Sequence, residues 1–316
     1  MRADERLRVL PTKPGDATSR LMLDVVALYR FVSLENLDEL RTDLLRIARD
    51  NGLRGTILIA PEGINGTIAG PPSGTAALLE ALEACCAISL GEVKHSSARD
   101  WPFARMKVRI RPEIITMRAP EADPSRQAGT YVAPADWNHL IEQDDVTVLD
   151  TRNRYETKVG TFQNAIDPQI DSFTAFKDFV ASKLDPAVHR KVAMFCTGGI
   201  RCEKAASYML AQGFESVFHL KGGILKYLEE VPADRSRWNG ECYVFDERVA
   251  VGHALKPGTW VACFGCGQPL DPAETQAPGY EIGVSCPHCI GELTTERAAA
   301  LRTRHRQLTG ASGSTP

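Results

Sequence analysis

The chain has 316 residues, 43% of them hydrophobic, and a formal net charge of -3. That length allows two or three packed domains, and near-neutrality excludes nucleic-acid binding by bulk charge, so any such contact must come from local basic patches. Nine cysteines, four of them in two C-x-x-C pairs, point to reduced thiols with metal and catalytic work and away from a secreted disulfide scaffold.

The opening Met-Arg-Ala-Asp-Glu-Arg holds no hydrophobic signal core, and about 18 apolar residues never run together, so the expectation is a soluble, cytoplasmic protein without a membrane span. Residues 1–20, with Pro11, Pro14, Gly15 and Ser19, read as a flexible leader. Residues 21–118 read as a small domain. Leu23–Phe31 predicts a strand, and Ser33 is placed to cap a helix with Leu37, Leu40, Leu44, Ile47 and Ala48 at helical spacing. Gly52 stops that helix. Residues 56–60 and 66–69 predict short strands joined by Pro-Glu-Gly-Ile-Asn, and 74–87 a second helix. With a last strand over 103–115, the order strand-helix-strand-strand-helix-strand predicts a ferredoxin-like α+β sandwich. In that last strand Arg105, Lys107, Arg109 and Arg111 alternate with Met106, Val108 and Ile110, which puts four cations on one face. These four are candidate RNA-binding residues. The other reading is a solvated face whose charges discourage edge pairing.

Residues 119–130 are polar with two prolines and read as a linker. The pattern over 131–240 alternates helices and strands: a helix carrying Trp137, Leu140 and Ile141, strand Val146–Asp150, helix 173–184, strand Lys191–Phe195, helix 202–212, strand 217–220 and helix 223–231. That alternation predicts an α/β domain, a parallel sheet with helices on both faces. Ligands then gather beyond the strands' carboxyl ends, where Cys196 lies.

The hexapeptide Cys196-Thr197-Gly198-Gly199-Ile200-Arg201 therefore forms a strand-to-helix loop. Two glycines let successive N–H groups turn inward, the helix N-terminus adds a positive field, and Arg201 adds a permanent cation, so the Cys196 pKa should fall well below the ~8.5 of a free cysteine. The alternative is a small buried hydrophobe. Four residues separate cysteine from arginine, too few for a phosphatase cradle, which has five. Cys202 reads either as a thiol that resolves an oxidised Cys196 or as a packing residue. Asp150 and Arg152, at a neighbouring strand's end, read as an ion pair supporting the loop. Glu203 suits the helix dipole, and Lys204 is placed to face an anionic substrate.

Residues 241–308 read as a zinc-ribbon-like segment. Cys263, Cys266, Cys286 and Cys289 form two C-x-x-C pairs nineteen residues apart, a spacing that suits a closed, structural zinc site. His288 is a possible but weaker substitute for Cys289 as ligand. A helix over 295–308 carries Arg297, Arg302, Arg304, His305 and Arg306 and suits either nucleic-acid backbone or plain solvation; 309–316 read as a disordered tail.

The stretches 148–156, 160–168, 196–201 and 219–224 fall in the order of the rhodanese superfamily, which the second domain resembles over about 130–240. More narrowly, Cys-Thr-Gly-Gly-Ile-Arg-Cys-Glu-Lys (196–204), Pro-Glu-Gly-Ile-Asn-Gly-Thr (61–67) and Pro-Phe-Ala-Arg-Met-Lys-Val (102–108) resemble the bacterial tRNA uridine hydroxylases of the TrhO family, from about residue 21 to the C-terminal cysteines. Arg105-Met106 stands where that family has Arg-Leu. The resemblance implies an oxidoreductase that converts the wobble uridine of tRNA to 5-hydroxyuridine, with molecular oxygen as co-substrate, tRNA as partner and Cys196 as the active-site cysteine. No G-x-G-x-x-G flavin or nicotinamide loop and no two-histidine, one-carboxylate pattern occurs in the sequence. A thiolate adding to C6 of the ring would make C5 carbanion-like and able to meet oxygen without such a cofactor. Two other readings stay open: a sulfurtransferase passing a persulfide from Cys196 to an acceptor, and a redox-sensing RNA-binding module. Nucleoside mass spectrometry separates the three.

Overall fold

The computed structural model describes residues 22–99, 101–246 and 248–309. The leader over 1–20 and the tail beyond Thr309 lie outside the described residues.

Strict alternation makes β1 (Leu23–Phe31) two-faced, with Val26 and Leu28 on one side and Tyr29 and Phe31 on the other. The helices α1 (Leu37–Asp50) and α2 (Pro72–Cys86) cover the Val26 side. Strands β2 (Arg54–Ala60), β3 (Gly63–Gly70), β4 (Glu92–Ala98) and β5 (Met106–Ile110) complete a five-stranded sheet in the order β4-β1-β3-β2-β5. Ile57, Ile59, Ile64, Ile68 and Val108 join the core beneath the helices. Each such side chain, fully buried, contributes roughly 2–3 kcal/mol.

The pattern over 103–115 assigned the sandwich's last strand to the cationic segment, and the structure corrects this. That place belongs to β4, antiparallel to β1 from Leu23↔Ala98 to Tyr29↔Glu92, while β5 is a fifth strand parallel to β2 on the opposite edge. The sequence of β4 has one large apolar residue, Val93, and no alternation, so main-chain pairing with β1 makes it a strand where side-chain pattern does not.

The second domain is built from β6 (Thr130–Val132), α3 (Pro134–Ile141), β7 (Val146–Asp150), the single turn α4 (Arg154–Thr157), β8 (Gly160–Phe162), α5 (Phe176–Lys183), β9 (Lys191–Phe195), α6 (Ile200–Ala211), β10 (Ser216–Leu220) and α7 (Gly223–Glu230). Four of these strands form a wholly parallel sheet, β6-β10-β9-β7. Val192 and Met194 of β9 pack with α5 and α6, whereas Ala193 and Phe195 pack with α3 and α7. A sheet buried on both faces explains the unbroken apolar run Val-Ala-Met-Phe. The stretch 119–130 is less detached than its composition suggests, since Met117, Ala119 and Ala122 are buried in the α5–α6 core.

Beyond α7, β11 (Trp238–Gly240) pairs with β8, β12 (Cys242–Tyr243) with β13 (Ala250–Val251), and β14 (Val261–Ala262) with β15 (Pro269–Leu270). The helix α8 (Thr295–Thr309) follows. None of the described helices is long and apolar enough to cross a membrane.

Candidate active site

Cys196 leaves the carboxyl end of β9, and α6 begins four residues later. Gly199 sits at φ 106°, a conformation that L side chains rarely adopt, and its N–H points back at Cys196 Sγ over 3.1 Å. The start of α7 props the loop from below: Ile224 N–H donates to Cys196 O at 2.9 Å and Leu225 N–H to Thr197 O at 3.2 Å. A Cβ on Gly223 would stand 2.6 Å from both of those carbonyl oxygens, so only glycine lets the chains come this close.

Burial alone would push the Cys196 thiol up. The Cys202 thiol, the Arg201 guanidinium and the N–H groups of Cys202 and Gly199 outweigh it and bring the pKa down to about 5. Cys202 is fully buried, 3.3 Å from Thr151 Oγ1, and burial with the neighbouring Cys196 raises its pKa well above the ordinary value. It therefore stays a thiol and donates to the Cys196 thiolate.

Arg201 is not an open cation. Its two terminal nitrogens each lie 2.6 Å from a carboxylate oxygen of Glu156, which is buried on α4. Burial would raise the Glu156 pKa, and the Arg201 and Arg152 guanidiniums bring it below the usual carboxylate value. Thr197 Oγ1 donates to the same carboxylate at 3.3 Å. Asp150 and Arg152, both fully buried, form a second pair, with Arg152 Nη2 2.6 Å from Asp150 Oδ2 and 2.6 Å from Gly160 O. Two buried ion pairs thus support the loop from its floor. Gly198 and Ile200 face its outer side and are partly exposed.

The outer side is walled by the N-terminal sheet, a contribution that spacing within 196–204 gives no sign of. Lys94 of β4 donates from Nζ to Gly198 O at 3.1 Å and to Gly222 O at 2.5 Å. Tyr29 Oη of β1 donates to Glu203 Oε2 at 3.2 Å, and burial raises the Glu203 pKa against the pull of Tyr131 and Tyr29. Cys196 is only 1% exposed beneath this wall. Lys204, placed by its position to face substrate, instead turns into the domain seam. Its Nζ is 2.8 Å from both Glu62 and Glu113 and 3.0 Å from Ile115 O, because a buried ammonium needs every donor satisfied.

The four candidate RNA-binding residues are not at the sulfur. Lys107 and Arg109 lie on β5 with Arg105 and Arg111 flanking it. The register Lys94↔Ala27↔Thr67↔Thr56↔Lys107 nevertheless places Lys107 on the same sheet face as Lys94, opposite the helices. At about 4.8 Å per strand that face spans roughly 19 Å from Lys107 to the active loop.

Cys263, Cys266, Cys286 and Cys289 bring their sulfurs within 4.8 Å of one another. The separations 3.9, 3.6 and 3.8 Å match the roughly 3.8 Å that tetrahedral geometry requires for metal–sulfur bonds of about 2.3 Å. The cluster can hold a metal with every coordination place filled. His288 is outside it, with Nε2 2.5 Å from Glu274 Oε1. On α8, Arg302 binds Glu281 and Arg297 reaches Gly265 O, so part of that basic face holds the ribbon together.

Residues 23–114 match the acylphosphatase-like domain of the UPF0176 family, and residues 133–230 the rhodanese-like domain. A tRNA uridine(34) hydroxylase of Mesorhizobium japonicum is 52% identical over 284 residues, covering 90% of this chain and 92% of the relative. The chain belongs to the tRNA uridine(34) hydroxylase family. A second member, from Teredinibacter turnerae, is 49% identical over 91% of this chain and 90% of its own length. Among solved structures, a rhodanese-like domain from Anabaena is 21% identical with a TM-score of 0.29, covering 35% of this chain and 78% of that one. This chain pairs an acylphosphatase-like sheet with a rhodanese-like loop, and the two meet where Lys94 and Tyr29 reach the residues around the cysteine.

Proposed function

We propose that this protein hydroxylates uridine 34 of tRNA at C5, with molecular oxygen as co-substrate and Cys196 as nucleophile, in the cytoplasm. The observation that carries this reading is a thiolate held near pKa 5 in a chain about half identical to proteins named for that reaction. Thiolate addition at C6 moves the ring's π electrons onto C5 and O4. C5 takes up oxygen as a hydroperoxide, an external thiol supplied in the assay reduces this to the C5 hydroxyl and water, and loss of the C5 hydrogen expels the Cys196 thiolate and restores the ring. The Cys202 thiol, the Arg201 guanidinium and the Gly199 N–H keep the sulfur ionised, Glu156 fixes Arg201 in place, and Asp150 with Arg152 holds the floor beneath it. A wobble base leaves its stack at modest cost in an anticodon loop, which makes delivery to a walled site feasible.

The tRNA backbone lies along the sheet face that carries Lys107 and Arg109, with Arg105 and Arg111 at its ends, and reaches α8 through Arg304 and Arg306. The cysteine cluster holds a structural zinc, which fixes the ribbon and takes no part in oxygen chemistry; metal analysis should give one zinc per chain. The domains divide as 21–118, 131–240 and 241–308. The test is nucleoside mass spectrometry of uridine-containing tRNA incubated aerobically with purified protein and an external thiol. A gain of one oxygen at position 34, lost in Cys196→Ala, supports the reading. Full activity of Cys196→Ala, or a thiolated product, refutes it.

A further inference from the structure

The addition of a thiolate to C6 of uracil leaves an enolate whose negative charge sits largely on O4, and that oxygen needs a donor fixed in advance. The obvious cation of the loop does not supply one. Both terminal nitrogens of Arg201 are held by Glu156 at 2.6 Å. Lys204, the next cation on the same helix, is turned into the seam between Glu62 and Glu113. Lys94 differs from both. It stands over the loop, its Nζ donates to two neutral carbonyl oxygens, Gly198 O and Gly222 O, and its side chain is partly exposed to solvent. An ammonium has three N–H donors, and carbonyl acceptors are readily exchanged for a more negative oxygen.

We propose that Lys94, contributed by the N-terminal sheet, is a catalytic residue that binds the oxyanion formed on O4 of the target uracil when Cys196 adds to C6. The proposal rests on the functional reading above and deepens it. The incoming base takes the place that Lys94 covers, and the ammonium passes from the loop carbonyls to O4. In the step, the Cys196 Sγ lone pair forms the S–C6 bond, the C5=C6 pair shifts to C4–C5, and the C4=O pair moves onto O4 against Lys94. Protonation at C5 from solvent, loss of the original C5 hydrogen and expulsion of the thiolate regenerate uracil. That return path needs no oxidant. Burial lowers the Lys94 pKa, with the Glu92 carboxylate and the Cys196 thiolate opposing. Desolvation of this kind strengthens the ammonium's hold on an oxyanion. Cys196 is only 1% exposed, so an incoming base must displace what stands over the loop, and Lys94, bonded to Gly198 O and Gly222 O, is one such group.

The experiment measures release of tritium from tRNA labelled at uridine C5, without oxygen, alongside aerobic hydroxylation. Wild-type protein should release the label and Cys196→Ala should not. Lys94→Met should lower kcat for both reactions about 10²–10³-fold, as loss of a fixed oxyanion donor does, while KM for tRNA stays within about threefold. Lys94→Arg, which keeps the charge, should recover at least a tenth of the rate and shows that the position tolerates change. Wild-type kcat in Lys94→Met, or a loss confined to KM, overturns the proposal. Hydroxylation without anaerobic tritium release also overturns it, by removing the C6 adduct while leaving the hydroxylase reading intact. Absence of both reactions in the wild type overturns that reading as well.

Discussion

Replacing Cys196 by serine removes the one sulfur whose ionisation the loop is built to favour, with almost no change of shape, and its effect on stability should depend on pH. In the folded chain Cys196 titrates near 5, against about 8.5 when unfolded. A group whose pKa is depressed by folding contributes fully above its unfolded pKa and progressively less as pH falls to the folded value. Each pH unit across that window is worth about 1.4 kcal/mol. The stability gap between wild type and Cys196→Ser should therefore widen by about 4–5 kcal/mol between pH 5 and pH 8.5. Cys202 and Cys242, the neighbouring thiols, are both raised by burial and titrate above this window. Urea denaturation of both proteins at half-unit intervals measures the gap, and the 240 nm absorbance difference between them follows the thiolate directly. A gap that stays flat from pH 5 to 8.5, with an absorbance midpoint above 7.5, would refute the account of the loop.

Glu156→Ala leaves the Arg201 guanidinium buried without its carboxylate and should cost about 3–5 kcal/mol in denaturant unfolding. Arg154→Ala, which breaks an exposed pair with Asp171, should cost under about 1 kcal/mol, and equal losses would contradict the burial argument. Lys204→Met sets Glu62 and Glu113 against each other at the seam. It should lower stability by about 2 kcal/mol or more and split the unfolding curve into two transitions, whereas one unshifted transition would argue against a latch. For the sheet face, Lys107→Ala should weaken tRNA binding in fluorescence anisotropy and reduce the log–log salt slope by about 1; an unchanged slope would place the RNA elsewhere.

The second domain was legible because its strands are buried on both sides: Val146–Asp150 and Lys191–Phe195 are bounded correctly by their apolar runs alone. The loop was legible for a related reason, since Gly199 and Arg201 act on a cysteine a few residues away. The partners that matter across long separations were not. Glu156, which fixes Arg201, sits 45 residues earlier, and nothing in Arg-Tyr-Glu-Thr distinguishes it from a surface turn. Lys94 lies 104 residues before the carbonyl it donates to, in a strand whose polar sequence hides that it is a strand at all. Hydrophobic period reports which face is buried, and it is silent on which charged residues of another domain a fold will bring to a nucleophile.

One turn of α6 sends Arg201, Cys202, Glu203 and Lys204 to four different destinations: a buried acid, the reactive sulfur, a tyrosine of the first sheet and the acids of the seam. A rhodanese module excised from this chain would keep its nucleophile and lose its roof. Grafting the hexapeptide into an unrelated rhodanese would transplant reactivity without selectivity, since the apparatus that meets the nucleobase is inherited only when both halves travel together.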